Sequence, residues 1–342
     1  MAKSARTRSD SDEISKQLEK LFGQGTIVKA SENHLEDVNE WVPTGSITLD
    51  RATGGKGVPK DGKCTAILGR ESASKTTLAL NIIANEQVKG NLCCFLDVEC
   101  TLDTKYAEKL GVNLELLHIV DRESLLKSLG VKKEDREVVS GEEWLELTAK
   151  VLQSNIYGVV VLDSVAALIP QEEITSGLTG GRMSRVAAMM SRGYRTINAA
   201  LSTSKSAFIY LNQYRMNPGG YGNPYIEPGG EAWKYLQALK IEITKSLDKD
   251  TDGAYGIFVK GKITKSKVCP PYKEFQYYVK FGEGIQREHE IYDLAVEQKV
   301  IQKSGAWFIL PDLEDKIQGE DKVLQFLKDN KEYTETLLKK II

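Results

Sequence analysis

Apolar residues along the chain follow two periodicities, which together predict alternating helices and strands. Residues 12 to 23 place Ile14, Leu18, Leu21 and Phe22 at helical spacing among Lys and Glu, predicting an amphipathic helix closed by Gly23 and Gly25. A short apolar stretch, Thr26-Ile27-Val28, and a polar connection lead to Thr44-Gly45-Ser46-Ile47-Thr48-Leu49-Asp50, the entrance to a larger domain. From Cys64 an apolar run reaches Leu68, a glycine-bearing turn follows, then a helix from Thr76 to Val88 and a second run from Leu92 to Val98. Unbroken apolar runs joined by helices predict a parallel sheet covered on both faces. The pattern recurs: a helix over Gly141 to Gln153 precedes the run Gly158 to Asp163, and one over Arg185 to Leu201 precedes Ala207 to Leu211. Polar residues close these runs at their carboxyl ends, the edge where open α/β sheets bind ligands.

Beyond Leu211 the pattern breaks. Asn217-Pro218-Gly219-Gly220-Tyr221-Gly222-Asn223-Pro224 and Pro228-Gly229-Gly230 read as a long loop of turn-forming residues. Apolar segments return at Leu239 to Thr244, Gly256 to Thr264 and Phe275 to Phe281, predicted as antiparallel additions to the sheet. Past Arg287 the spacing is helical, with one strand candidate at Trp307 to Leu310. Trp144, Trp233 and Trp307 are expected in the interior. The expected division is an N-terminal helix and strand over 1–36, a main body over 37–286 and a small α+β terminal domain over 287–342. The first segment is too short for a core of its own and is expected to dock elsewhere, a neighbouring copy being one candidate.

Charge narrows the partners. The 342 residues carry 46 Lys and Arg against 48 Asp and Glu, a net charge of −2, which excludes a histone-like coating protein but leaves room for local basic stripes. No apolar run approaches the ~18 residues of a membrane helix, and Met1 to Asp12 has no apolar signal region, so a cytoplasmic chain without a membrane partner is expected. Five cysteines without C-x-x-C spacing predict reduced thiols, and the scattered His34, His118 and His289 give little support to a zinc site or a Ser/His/Asp triad.

The strongest chemical signal is Gly69-Arg70-Glu71-Ser72-Ala73-Ser74-Lys75-Thr76-Thr77, set between a strand and a helix. Backbone N–H groups of such a turn converge on phosphate oxygens, Lys75 reaches terminal phosphates and the Thr76 hydroxyl ligates Mg²⁺. Ser74 stands where the second glycine of this loop is usual, so a Cβ sits at a point of close phosphate approach. Asp163, closing its apolar run, is either the Mg²⁺-organising carboxylate or a helix N-cap. Glu99 can orient or deprotonate an attacking water, and the Gln213 amide can sense a terminal phosphate.

These residues carry a family resemblance. Gly69 to Thr77 resembles the Gly-Pro-Glu-Ser-Ser-Gly-Lys-Thr-Thr loop of the bacterial RecA recombinases. Phe95 to Glu99, Leu102-Asp103, Tyr106 to Val112, Val161 to Leu168, Ala187 to Ser191 and Leu211 to Met216 are also similar to that family. So are Gly222-Asn223-Pro224, Gly229-Gly230, Gly282 to Ile285 and Lys303 to Trp307, and the likeness runs collinearly from about Lys16 to near the end.

The resemblance implies a P-loop core of RecA type, with a mostly parallel central sheet flanked by helices and the N-terminal segment as a polymerisation arm. It implies ATP and Mg²⁺ as cofactors, held by Gly69, Glu71, Ser72, Ala73, Ser74, Lys75, Thr76 and Thr77, with Asp163 acting on Mg²⁺ through water. Glu99 would activate the hydrolytic water, Asp103 and Tyr106 would contact adenine, and Gln213 would couple the γ-phosphate to a DNA loop. Lys265 and Lys267 would reach the ATP of the neighbouring subunit. Two DNA-binding loops are implied, at about 175–185 and 214–230, with Met183, Ser184, Arg185, Ser191, Arg195, Arg215, Met216, Tyr221, Gly229 and Gly230 as DNA-binding residues. Arg side chains and backbone amides suit phosphates, and Met183, Met216 and Tyr221 suit base faces. A solvated surface loop is the alternative for these segments.

The implied activity is an ssDNA-stimulated ATPase that forms filaments on single-stranded DNA and catalyses pairing and strand exchange with homologous duplex DNA. Its partners would be further copies of itself, and single-strand-binding and loader proteins. A hexameric motor of the wider superfamily and an ATP-binding scaffold with little hydrolysis are the alternatives. Several departures stand out: Ser74, Arg70 in place of the family's proline, Pro218 and Pro228 in a second loop one residue shorter, and an insert-like Lys127 to Val139. The chain ends at Lys339-Lys340-Ile341-Ile342 without an acidic tail, so weaker autoinhibition on duplex DNA is expected, as in a divergent, phage-like member.

Overall fold

The structure is a computed structural model that describes residues 8–24, 26, 38–130, 138–176, 182–216, 225–250 and 253–342. The chain divides into two compact units, Met1–Asn39 and Glu40–Ile342. The first contains helix α1 (Arg8–Phe22), on which Ile14, Leu21 and Phe22 are exposed. The apolar stretch Thr26-Ile27-Val28 lies, apart from Thr26, outside the described residues, as does most of the insert-like segment after Gly130.

The second unit is built on nine strands: β1 (Cys64–Gly69), β2 (Leu92–Asp97), β3 (Leu117–Asp121), β4 (Tyr157–Asp163), β5 (Ala207–Gln213), β6 (Gln237–Asp250), β7 (Gly253–Ser266), β8 (Glu274–Lys280) and β9 (Gly284–Ile285). Their order across the sheet is β9-β8-β7-β6-β1-β5-β4-β2-β3. The pairings from β6 to β3 are parallel, and β7, β8 and β9 add antiparallel. Among the described residues the unit also has eleven α-helices: α2 (Ile47–Ala52), α3 (Lys75–Gln87), α4 (Thr104–Lys109), α5 (Arg122–Ser128), α6 (Gly141–Gln153), α7 (Gln171–Ser176), α8 (Arg182–Leu201), α9 (Gly230–Leu236), α10 (Arg287–Glu297), α11 (Glu320–Asp329) and α12 (Lys331–Ile341).

Strand alternation assigns the interior to two layers. Ile67, Phe95, Val159, Val161 and Ile209 face one side, where Leu78, Ala79, Ile82 and Ile83 of α3 cover them. Ala66, Leu68, Leu96, Val160 and Leu162 face the other, against Trp144 and Leu152 of α6, Met189, Met190 and Ile197 of α8, and Trp233 of α9. Both faces are buried, and that is why these strands read as unbroken apolar runs.

Three expectations need correction. Gln237–Asp250 is antiparallel only to β7; it joins β1 in parallel, because α9 returns the chain to the starting end of the sheet before the strand begins. Trp307 is 44% exposed, since Phe308 takes the inward position of that short strand. The terminal segment holds three strands rather than one: β10 (Gln302–Ser304), β11 (Trp307–Ile309) and β12 (Ile317–Gln318). The two missed strands are short and largely polar, so they carry no apolar alternation.

Candidate functional site

Three parallel strands end side by side and present their last residues at one edge: Gly69, Gln213 and Asp163. A Cβ on Gly69 would stand 2.8 Å from the Ile243 carbonyl, so the close pairing of β1 with β6 requires glycine there. The chain then turns through Ser72 (φ 53°) and Ser74 (φ 71°) before α3 starts at Lys75. Backbone in such alternating conformation forms a concave nest of N–H groups, suited to anions. Ser74 adopts the left-handed conformation expected of glycine, and its Oγ is buried, facing the buried hydroxyl of Tyr277 just outside hydrogen-bond geometry.

Lys75 is buried and donates from Nζ to the carbonyls of Arg70 (2.9 Å) and Gly69 (3.4 Å). Burial pulls its pKa down, while the carboxylates of Asp163, Glu99 and Glu71 push it back up. The Thr76 hydroxyl donates to Asp163 Oδ2 at 2.9 Å. Asp163 does not serve as an N-cap, because the short turn Val165–Ala167 has Ser164 in that position. Burial raises the Asp163 pKa to about 6, opposed by the Thr76 hydrogen bond, with Glu99 and Asp97 raising it further. A hydroxyl beside a carboxylate is an oxygen donor set that fits Mg²⁺.

Glu99 lies two residues beyond the end of β2, held by backbone bonds from Val98 and Glu99 to the Asp163 carbonyl. Its Oε1 accepts a hydrogen bond from the Ser164 hydroxyl and stands 3.5 Å from Gln213 Nε2. The structure therefore brings Lys75, Thr76, Asp163, Glu99 and Gln213 to one edge. Asp103 caps α4 by accepting from the N–H groups of Lys105 and Tyr106, and the Tyr106 hydroxyl meets Thr77 Oγ1 at 3.1 Å. Lys265 and Lys267 lie elsewhere. They sit toward the amino-terminal end of β1, donating to the carbonyls of Lys234 and Tyr235 at the end of α9.

Near the first loop, Arg185 pairs with Glu172 (3.2 Å) and donates to Ser176 (2.7 Å), tying α8 to α7. Ser184, Ser191 and Arg195 are exposed on α8 at helical spacing. Arg215 donates to the Ala166 carbonyl at 2.9 Å, and Met216 pairs with Tyr225 where the second loop closes. Gly229 (φ 106°) and Gly230 (φ 74°) start α9, and a Cβ on Gly229 would stand 3.2 Å from the Met190 methyl. Tyr221 and the side chains of Met183 and Met216 lie outside the described residues.

Sequence reasoning missed three contributors. Ser164 and Asp97 show only as polar neighbours of strand ends, yet one binds Glu99 and the other accepts the N–H groups of Thr101 and Leu102, folding the turn after Glu99. Tyr277 gives no local signal, since it meets Ser74 only through the fold.

Residues 11–286 match the family model of the RecA N-terminal domain, and residues 289–342 match that of the RecA C-terminal domain. The chain is 38% identical over 326 residues to Protein RecA of Porphyromonas gingivalis, spanning 95% of this chain and 90% of that protein. It is 38% identical over 327 residues to Protein RecA of Campylobacter lari (94% and 89%) and 37% identical over 328 residues to that of Bifidobacterium breve (95% and 79%).

Proposed function

This chain belongs to the RecA family, and from that premise we propose that it is an ATP-dependent recombinase that forms filaments on single-stranded DNA and exchanges strands with homologous duplex. The observation that carries this reading is the junction of Thr76 with Asp163 at 2.9 Å and of Glu99 with Gln213 at 3.5 Å at one sheet edge, with Gln213 opening directly into the second loop.

In this reading the nest of 69–74 and the Lys75 ammonium hold the phosphates of ATP, and Thr76 and Asp163 hold Mg²⁺. When bound, Mg²⁺ supplies positive charge to the phosphate oxygens. Glu99, fixed by Ser164, orients the attacking water and accepts its proton. Asp103 and Tyr106 flank adenine. Gln213 reports a terminal phosphate to residues 214–230, because its amide lies beside Glu99 while its backbone continues into that loop. Lys265 and Lys267 face away from their own chain's loop and serve the nucleotide of the adjoining copy, which puts hydrolysis at subunit boundaries.

The DNA strand is gripped by Ser184, Arg185, Ser191, Arg195, Arg215, Gly229 and Gly230, with Met183, Met216 and Tyr221 against base faces. Such contacts read no sequence and weaken steeply with salt. Residues 1–36 form the arm that docks on the next copy, in line with the exposed Ile14, Leu21 and Phe22 of α1. Residues 37–286 form the catalytic body and 287–342 the terminal domain. The setting is the cytoplasm, where single-strand-binding and loader proteins would assist; no described helix is long and apolar enough to cross a membrane.

A joint-molecule assay tests the reading. Wild-type protein should exchange strands between a single-stranded circle and homologous linear duplex when ATP and Mg²⁺ are present, and Lys75→Ala should not. Exchange equal in both proteins would refute it.

A further inference from the structure

The loop over 69–77 touches the second loop through a pair of side chains that plays no part in the chemistry above. The Arg70 guanidinium stands over the Tyr225 ring, 5.4 Å from its centroid, in cation–π geometry. Both partners are anchored. The Arg70 carbonyl accepts the Lys75 ammonium at 2.9 Å, so the lysine restrains the Arg70 backbone. Tyr225 pairs with Met216 across the short strands Arg215–Met216 and Tyr225–Ile226, which frame residues 217–224. Its ring also meets that of Tyr214, with centroids 6.5 Å apart. Two residues later Glu227 is fixed by Lys240 (3.1 Å) and Gln237 (2.7 Å). The chain is therefore fixed just after Tyr225, at Glu227.

We propose that Arg70 is a positioning residue that, through its stack on Tyr225, links occupancy of the phosphate loop to the grip of the second loop on single-stranded DNA. This rests on the function proposed above and adds a route separate from Gln213. Any ligand that draws Lys75 forward releases its hold on the Arg70 carbonyl and frees the guanidinium to move, and the stacked ring carries that movement to Tyr225 and the second loop. By linkage the effect is reciprocal: DNA bound at the second loop tightens nucleotide binding by the same factor. A partly exposed cation–π pair supports a coupling of about two- to fivefold.

The test uses the full chain and a fluorescently labelled oligothymidylate, titrated with and without a slowly hydrolysed ATP analogue. The readout is the ratio of the two DNA affinities, which a merely structural role would leave unchanged. Arg70→Gln and Tyr225→Leu should each lower the ratio about two- to fivefold, the double variant no further, and Arg70→Lys and Tyr225→Phe should keep most of it. An unchanged ratio in Arg70→Gln, or losses that multiply in the double variant, overturns the link. A wild-type ratio of one overturns the underlying reading and the link together, whereas a wild-type ratio above one with unaffected variants overturns the link alone.

Discussion

The hydroxyls of Ser74 and Tyr277 face each other in the interior, and among the described residues neither makes a hydrogen bond. Burial raises the Tyr277 phenol above its ordinary range, so both groups stay neutral. The Ser74 hydroxyl is thus turned into the interior and away from solvent. Because neither hydroxyl has a hydrogen bond to lose, removing one deletes a buried unpartnered polar group and strands nothing. Tyr277→Phe should thus leave stability unchanged or raise it by up to about 1 kcal/mol, in the native protein and in a Ser74→Gly background alike. Urea unfolding of the four proteins measures this, and a loss of about 1 kcal/mol or more in Tyr277→Phe that disappears in the Ser74→Gly background would contradict it.

Thr76→Ala removes the hydroxyl that joins the phosphate loop to Asp163. ATP turnover should fall by two to three orders of magnitude, about the loss of one preorganised electrostatic contact, while Thr76→Ser should retain most of it. Steady-state phosphate release with excess oligonucleotide gives the answer, and turnover within threefold of wild type in Thr76→Ala would remove Thr76 from the site.

Glu86 is fully buried beneath β4 and binds Lys60 at 2.8 Å, Asn91 at 2.8 Å and Lys89 at 3.1 Å. Burial by itself raises its pKa, but the hydrogen bonds from Lys60, Lys89 and Asn91 outweigh it and hold the carboxyl below its usual range. The stability it contributes is present above the unfolded carboxyl pKa and is lost as pH falls through the depressed folded value. Glu86→Ala leaves Lys60 with Glu40 (2.7 Å) as its remaining carboxylate and should cost about 1 to 3 kcal/mol near neutral pH. Denaturant midpoints report the loss, and a change below about 1 kcal/mol would contradict it.

Glu290 behaves in the opposite way. Its carboxyl accepts from the Ser46 hydroxyl (2.7 Å) and from the Thr48 (2.9 Å) and Ile47 (3.2 Å) N–H groups, joining α10 to the start of α2. Burial raises its pKa to about 7 from 4.5, despite those hydrogen bonds. With the folded pKa above the unfolded one, its favourable contribution is complete at low pH and is lost as pH rises from about 4.5 to about 7. Glu290→Gln should flatten that part of the stability profile. Melting temperatures recorded across this interval test it, and parallel profiles for wild type and variant would rule the assignment out.

Much of this was legible from residue order alone. The parallel strands were readable because both faces are buried, as in Val159-Val160-Val161-Leu162, and so was the turn between β1 and α3, because its small residues suit left-handed backbone. The direction of β6 was not readable, since it depends on where α9 delivers the chain. Trp307 misled for a similar reason: in a short strand, the choice of inward residue falls to the surrounding fold. Long-range pairs such as Ser74 with Tyr277 and Arg70 with Tyr225 leave no periodic trace, because each joins segments whose meeting is set by the whole sheet.

Electron microscopy of the protein with single-stranded DNA tests the central claim most directly. With a slowly hydrolysed ATP analogue and Mg²⁺, wild-type protein should form continuous helical filaments along the DNA, and it should form none without nucleotide or with Lys75→Ala. Closed rings, or DNA left bare at saturating nucleotide, would contradict the account.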